Sequence, residues 1–227
     1  RSRETIFGEY IFKYHPKYKK IKLYYDRDDS YSIEGGDIQV LDKNVIAIGI
    51  SQRTEPDAIA LLAKNIFADK QNNFKVILAI DIPDERSFMH LDTVMTRVDY
   101  KKFAVHSHVM DISTVYEIKP SKSKELSIKK LDMTLDKILE KYLKIDKVEL
   151  IKCGNGNRIA AEREQWSDGV NTLCIRPGVV ITYDRNYVTN KTFRDHGIKV
   201  IEIPSCELSR GRGGPHCMSM ALVREDL

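Results

Sequence analysis

Charged or nucleophilic side chains stand next to glycine, or at the end of an apolar segment, at four places in the chain. These segments are IEGGD (33–37), SQRT (51–54), MHLDT (89–93) and RGRGGPHCMSM (210–220). The last one places two arginines and three glycines directly before a His-Cys pair. Together the segments contain the groups needed to attack a planar, cationic carbon, because carboxylates can hold the cation while a thiolate attacks and an imidazole moves protons.

Each segment by itself also has an ordinary structural interpretation. A single cysteine is more often a small buried apolar side chain than a nucleophile, and Gly-Gly-Asp is common in turns. The GRGG sequence lacks the Gly-Lys-Ser/Thr ending of a phosphate-binding loop, which excludes that motif. On a strand, His90 and Asp92 would point to one face, which also fits a metal pair, but no third or fourth ligand follows at a useful spacing. Only the combination of segments indicates nucleophilic chemistry.

The composition excludes several other classes of protein. The chain has 227 residues, with 37 basic and 33 acidic residues and a formal net charge of +4. Its lysine-rich stretches alternate with acidic and apolar residues, which indicates a solvated surface and not a nucleic-acid-binding face. No apolar run approaches the roughly 20 residues of a transmembrane helix. The four cysteines contain no CxxC pair, so neither a zinc site nor a disulfide framework is indicated. We therefore expect a cytoplasmic protein without a membrane or nucleic-acid partner.

The order of the predicted elements repeats along the chain. Residues 31–51 predict two strands joined by a turn, residues 55–70 have helical spacing, and residues 74–83 predict a buried strand. Residues 171–184 and the segments NKTFRDHG and IKVIEIP repeat this order. A third copy is predicted in the middle, where a helix at 133–144 precedes the strand segment KVELIKC.

Repeated units of this kind each lack a complete core, so we expect them to stack around a centre. A closed ring would place a site at its hub, where each unit contributes a loop. A doubly wound open sheet is the alternative architecture. The hairpin predicted before each helix argues against it, because purely parallel pairing has no hairpins.

Several segments, in their order along the chain, resemble those of the bacterial arginine deiminase family. The resemblance is carried by IEGGD, HLDTVMT, EREQWSDGVNTLCIRPGVVITYDRN and ELSRGRGGPHCMSM, and it extends from RSRET at residue 1 to VREDL at residue 227. It implies the pentein fold, an α/β-propeller of strand-strand-helix-strand units, with an incomplete ring in this chain. It also implies hydrolysis of L-arginine to L-citrulline and ammonia, with no metal or organic cofactor.

The resemblance assigns roles residue by residue. It implies that Cys217 is the nucleophile, that His90 is the general acid and base, and that Glu34 and Asp92 hold the guanidinium group. His216 is expected to supply a further contact beside the nucleophile. The arginines expected to bind the substrate's own carboxylate are Arg1, Arg53 and, on the glycine-rich loop, Arg212. The glycines of that loop would let it open for substrate and close over it.

One feature of the family has no counterpart in this sequence. The family carries a further guanidinium-binding Asp in a Phe-Thr-Arg-Asp-Pro segment, which would precede residue 1. We therefore expect residues 1–227 to form a single catalytic domain that lacks an N-terminal unit of the ring and this Asp. Either a companion N-terminal chain completes the ring, or these residues are a fragment that is inactive alone. A homo-oligomer is also expected.

Two other functions stay open from the sequence. An amidinotransferase on the same fold, which passes the amidino group to an amine and not to water, would use the same HLDT segment and terminal cysteine. The arginine pair and the RGRGG loop favour the deiminase. A degenerate pentein that acts as a binding subunit is the third possibility, and the retention of all four chemical groups argues against it.

Overall fold

Three strand-strand-helix-strand units follow one another along the chain, as the repeat predicts. The computed structural model describes residues 2–122, 125–211 and 213–225. In each unit a short antiparallel hairpin comes first. The last strand of the unit then pairs in parallel with the second strand of that hairpin. The hairpins therefore exclude the purely parallel alternative.

The first unit follows an N-terminal helix, α1 (Thr5–Tyr14). Its elements in chain order are β1 (Ile38–Val40), β2 (Val45–Ile50), α2 (Pro56–Ala68) and β3 (Val76–Asp81). Nearly all residues of β2 and β3 are buried, which explains why both strands are continuous apolar runs and not alternating ones. Helix α2 buries the face predicted by its spacing, with Ile59 and Leu62 in the core. Full burial of such a side chain contributes about 1.5 to 3 kcal/mol.

The second unit contains an insertion. Its elements in chain order are β4 (Met95–Arg97), β5 (Lys102–Val105), α3 (Ser107–Ile112), β6 (Thr114–Pro120), β7 (Leu126–Leu131), α4 (Leu135–Leu143) and β8 (Glu149–Lys152). Strand β8 pairs with β5, whereas the inserted β6 pairs antiparallel with β3 of the first unit. The β6–β7 hairpin thereby extends the first sheet to five strands.

The third unit leads to the cysteine-bearing loop. Its elements, with the helices on either side, are α5 (Arg158–Gln165), β9 (Leu173–Arg176), β10 (Val179–Tyr183), α6 (Tyr187–Asp195), β11 (Lys199–Ile203) and α7 (Ser205–Leu208). The predicted Gly stop of α6 is confirmed, because Gly197 follows the helix with φ +77°.

The units form three separate sheets, of five, three and three strands. Among the described residues these sheets do not join into a closed barrel, so closure of a ring stays a prediction. None of the helices in the described part of the chain has the length and apolar character needed to cross a membrane.

The expectation that His90 and Asp92 alternate on a strand is wrong. Residues Leu91–Thr93 form a 3₁₀ turn that precedes β4. The cause is a long-range contact, since the backbone N–H of Leu91 donates to the buried carboxylate of Asp37 over 2.8 Å. The turn is closed locally by Thr93, whose backbone N–H and hydroxyl both donate to the carbonyl of His90.

Candidate active site

The loop that precedes the first strand of each unit contributes to one shared site. Residues 34–37 precede β1, residues 90–93 precede β4, and residues 168–171 precede β9. The loop after β11 adds residues 213–217. These loops border an open cavity of about 2260 Å³. The repeat thus brings equivalent positions of three units together, as expected for a site at a hub.

Asp37 joins three of the loops that form the site. Its side chain is fully buried, and one carboxylate oxygen accepts hydrogen bonds from the hydroxyls of Ser51 (2.7 Å) and Thr54 (2.6 Å). The other oxygen accepts from the backbone N–H of Leu91. Burial raises the pKa of this carboxyl group, and the hydrogen bonds oppose that shift. Asp37 therefore fixes the segments that carry Glu34, Arg53 and His90 relative to one another.

His90 and Glu34 form a hydrogen-bonded pair. The distance between His90 Nε2 and Glu34 Oε2 is 2.7 Å, and the histidine is buried. Gly36 makes this approach possible, because a Cβ atom there would lie 2.7 Å from His90 Nδ1. The second glycine of IEGGD is thus required by close packing against the imidazole.

Asp92 is the most enclosed charged group of the site. Its side chain has no exposed surface, and its Oδ2 atom accepts hydrogen bonds from Nδ1 of His216 (3.0 Å) and from the thiol of Cys217 (3.3 Å). Within the described residues, no donor reaches its other oxygen, Oδ1. A buried carboxylate oxygen without a donor is costly, so this atom is poised to accept a hydrogen bond from a ligand.

Burial is the main reason why the pKa of the Cys217 thiol is strongly raised, and the negative charge of Asp92 adds to the effect. In the absence of a ligand the nucleophile predicted from the sequence is therefore a neutral thiol. A second carboxyl group, that of Asp168, lies close enough to Asp92 for their charges to interact. Burial first, and then Asp92, raises the pKa of Asp168 to about 6.

The loop that carries Cys217 is attached to the third unit by side chains that precede and follow β9. The hydroxyl of Tyr183 donates to the carbonyl of Gly213 over 2.8 Å. The amide of Asn171, which is fully buried, contacts both the backbone and the sulfur of Cys217. The glycine-rich segment is therefore anchored on both sides of Pro215.

The arginines predicted to bind the substrate's carboxylate are only partly described. Arg53 follows Ser51 in a turn at the end of β2 and lines the cavity together with Glu34 and Cys217. Arg1 and Arg212 lie outside the described residues. Their roles stay predictions.

The structure supplies the third donor that the sequence did not reveal for a metal site. Donor atoms of His90, Asp92 and Cys217 all lie within 4.8 Å of one another. Closed tetrahedral sites use four protein ligands, whereas these three donors are already hydrogen-bonded to neighbouring side chains. The arrangement is therefore suited to nucleophilic chemistry, with a thiol, an imidazole and two carboxylates around one cavity.

Sequence reasoning missed three residues that shape this site. Asp37, Asp168 and Asn171 all lie inside segments that the sequence analysis quoted, but their roles depend on contacts across the fold. The signal that could have found Asp168 and Asn171 is their equivalence to Glu34 and Asp92, since each precedes the first strand of a repeated unit.

Comparison with known proteins agrees with the resemblance. The family model described as arginine deiminase matches residues 1–224. The chain is 54% identical over 229 aligned residues to arginine deiminase of Treponema denticola and 53% identical over 233 to that of Staphylococcus epidermidis. Both matches cover the whole of this chain and 56% of the relative, so the chain spans about half the length of the curated relatives it matches.

Solved structures share the fold at low sequence identity. The amidinotransferase SxtG of Microseira wollei matches with a TM-score of 0.60 at 16% identity, over 99% of this chain and 62% of that one. The cyanobacterial arginine dihydrolase ArgZ matches with a TM-score of 0.54 at 15% identity, over 85% of this chain and 24% of that one. These pentein-fold enzymes support a mixed α/β fold of the same kind. By the match of the family model over nearly its full length, the chain belongs to the arginine deiminase family.

Proposed function

We propose that this chain carries the catalytic groups of an arginine deiminase, which hydrolyses L-arginine to L-citrulline and ammonia through a covalent intermediate on Cys217. One observation supports this most strongly. The thiol of Cys217 is hydrogen-bonded to Asp92, a buried carboxylate whose second oxygen has no donor among the described residues. This arrangement suits a planar cation bound beside a nucleophile.

The guanidinium group of arginine would bind through Asp92 and Glu34. A guanidinium offers planar N–H donors, and carboxylates accept them in pairs with fixed geometry. Binding would displace the thiol proton and His216 from Asp92 and supply the donor that Oδ1 lacks. The substrate carbon would then lie near the sulfur, at about 3 to 3.5 Å for productive attack.

The arriving cation favours ionisation of the nucleophile. Burial and the charge of Asp92 raise the pKa of the Cys217 thiol in the free protein. A bound guanidinium neutralises that charge and stabilises a thiolate by direct attraction. His90, which lies in the same cluster, is the acceptor we assign to the departing proton. Substrate binding and nucleophile activation are thereby coupled.

The reaction then proceeds in two stages. The thiolate forms a bond to the guanidinium carbon, and the electron pair of one C–N double bond moves to nitrogen. His90 donates its proton to the terminal nitrogen, and ammonia departs with the pair of the broken C–N bond, leaving a thiouronium on Cys217. Water then adds to the same carbon and gives a proton to His90, and the C–S bond breaks to return the thiolate and release citrulline.

The remaining calls are part of the same proposal. Arg53, with Arg1 and Arg212, would bind the α-carboxylate of the substrate, because bidentate Arg–carboxylate pairs fix a ligand's orientation. Residues 1–227 would act as one catalytic domain of a pentein propeller. The rest of the ring, including a further guanidinium-binding Asp, would come from the part of the relatives' length outside the match, in the same polypeptide or in a companion chain. The assembly would be a cytoplasmic homo-oligomer.

Product analysis of the full-length protein tests this function. Arginine should give citrulline and ammonia at the same rate with and without glycine as an acceptor amine, and Cys217→Ser should abolish turnover. A product that requires the amine would identify an amidinotransferase. Binding of arginine with no product at all would identify a binding subunit.

A further inference from the structure

Asn171 makes two hydrogen bonds to one residue, Cys217. Its Oδ1 accepts from the backbone N–H of Cys217 over 3.0 Å, and its Nδ2 donates to the sulfur over 3.1 Å. The residues are 46 positions apart, on the loop before β9 and on the loop after β11. Asn171 itself is fully buried.

The orientation of this amide is fixed by chemistry. A backbone N–H can only donate, so the Asn171 atom that faces it must be the oxygen. The –NH2 group therefore faces the sulfur. Since the thiol proton is directed to Asp92, the sulfur has a free lone pair with which to accept.

The neighbouring loop leaves room for this amide alone. A Cβ atom at Gly214 would lie 2.3 Å from Asn171 Oδ1, so the backbone of the loop packs directly on the amide. The carbonyl of Asn171 also accepts a long hydrogen bond from the backbone N–H of His216 (3.5 Å). The side chain is thus held in place from both ends.

We propose that Asn171 is the positioning residue of the nucleophile, with its oxygen fixing the backbone at Cys217 and its NH2 group stabilising the sulfur as an anion. This inference rests on the proposed function, in which the sulfur becomes a thiolate. When substrate occupies Asp92, the sulfur loses that neighbour but keeps the amide donor. A hydrogen bond to the charged form favours it and is stronger than one to a neutral thiol. Asn171 therefore opposes the effect of Asp92 on the same atom.

The test is the pH dependence of alkylation of Cys217 by iodoacetamide in the full-length protein without substrate, followed by peptide mapping. Asn171→Asp keeps an oxygen for the backbone N–H but replaces the donor at the sulfur with a negative charge. We expect the alkylation midpoint to rise by about one pH unit or more and kcat to fall by more than about tenfold. Asn171→Ser, whose hydroxyl can still donate, should lie between this variant and the parent.

Two controls make the outcome specific. Asn157→Asp carries the same substitution at the N-cap of α5, where Asn157 accepts from the backbone N–H of Ala160 and Asp caps equally well. It should leave both measurements unchanged, as should the alkylation of the exposed Cys206 in every variant. If the aspartate variant unfolds in a thermal melt, the serine variant alone decides the test.

The possible results separate this inference from the proposed function. A shifted alkylation profile in a protein that makes no citrulline would support the role of Asn171 and reject the deiminase. Citrulline formation with an unshifted profile, and with kcat within about threefold of the parent in both variants, would overturn the role of Asn171.

Discussion

The thiol of Cys217 donates a hydrogen bond to the carboxylate of Asp92 over 3.3 Å, although the residues are 125 positions apart in the chain. This contact keeps the thiol protonated, because burial and the nearby negative charge both raise its pKa. The same carboxylate is the group assigned to the cationic substrate. Nucleophile and cation therefore compete for one buried anion, and this competition leads to the first prediction.

Asp92→Asn should make the free thiol more reactive and the protein inactive. Removing the charge lowers the pKa of Cys217, so alkylation of this residue at pH 8 should become faster than in the parent. Citrulline formation should fall by at least about a hundredfold, because the guanidinium loses a charged partner. Rate measurements by peptide mapping and product assay check the two effects. Slower alkylation in the variant would contradict the proposed electrostatic coupling.

The two adjacent glycines of IEGGD should respond differently to alanine. A Cβ atom at Gly36 would lie 2.7 Å from the His90 imidazole, whereas one at Gly35 meets nothing within 4 Å. Gly36→Ala should therefore displace His90 and reduce kcat by about tenfold or more, while Gly35→Ala stays near the parent. Steady-state kinetics of both variants, with melting temperatures as the folding control, test this pair. Equal effects would mean that the His90 position does not depend on this packing.

The carboxyl group of Asp168 should reduce stability above pH 6. Its pKa is about 6 in the folded protein and near 3.9 in an unfolded chain, so the folded state binds more protons between these values. The free energy of unfolding contributed by this group therefore falls as pH rises from about 4 to 6.

Asp168→Asn removes this effect and keeps a residue that tolerates the positive φ of +61°. The variant should be more stable by on the order of 1 to 2 kcal/mol at pH 7.5, with no gain at pH 4. Denaturant unfolding at the two pH values checks the prediction. A gain of equal size at both would assign the effect to packing.

Arg53→Lys should raise KM for arginine more than it lowers kcat. The lost contact is a planar, bidentate one to the distant carboxylate of the substrate and not to the reacting carbon. Agmatine, which lacks that carboxylate, should be a poor substrate of the parent protein. Efficient hydrolysis of agmatine would show that Arg53 has been assigned the wrong role.

The sequence predicted the repeated unit well because its signals are local. The helix expected at 55–70 is α2 (Pro56–Ala68), and the one expected at 133–144 is α4 (Leu135–Leu143). Both follow from apolar spacing that depends only on neighbouring residues. The pairing of the inserted β6 with β3 was not predicted, because antiparallel register between distant strands leaves no local pattern.

The site was predicted in its residues but not in its geometry. The spacing of His90 and Asp92 suggested a strand, yet a hydrogen bond from Leu91 to Asp37, 54 positions away, creates a turn there. The segment with Asn171 was identified by its resemblance alone. Its contact with Cys217 depends on a loop that follows the whole third unit, which no local signal in the sequence encodes.

The most direct test of the central claim is mass spectrometry of the full-length protein, acid-quenched within the first turnovers of saturating L-arginine. The account predicts that the peptide containing Cys217 gains the mass of arginine less ammonia, that this adduct disappears as substrate is consumed, and that Cys217→Ser never forms it. Citrulline production by the serine variant at the rate of the parent, or steady turnover with no adduct on Cys217 at any quench time, would contradict it.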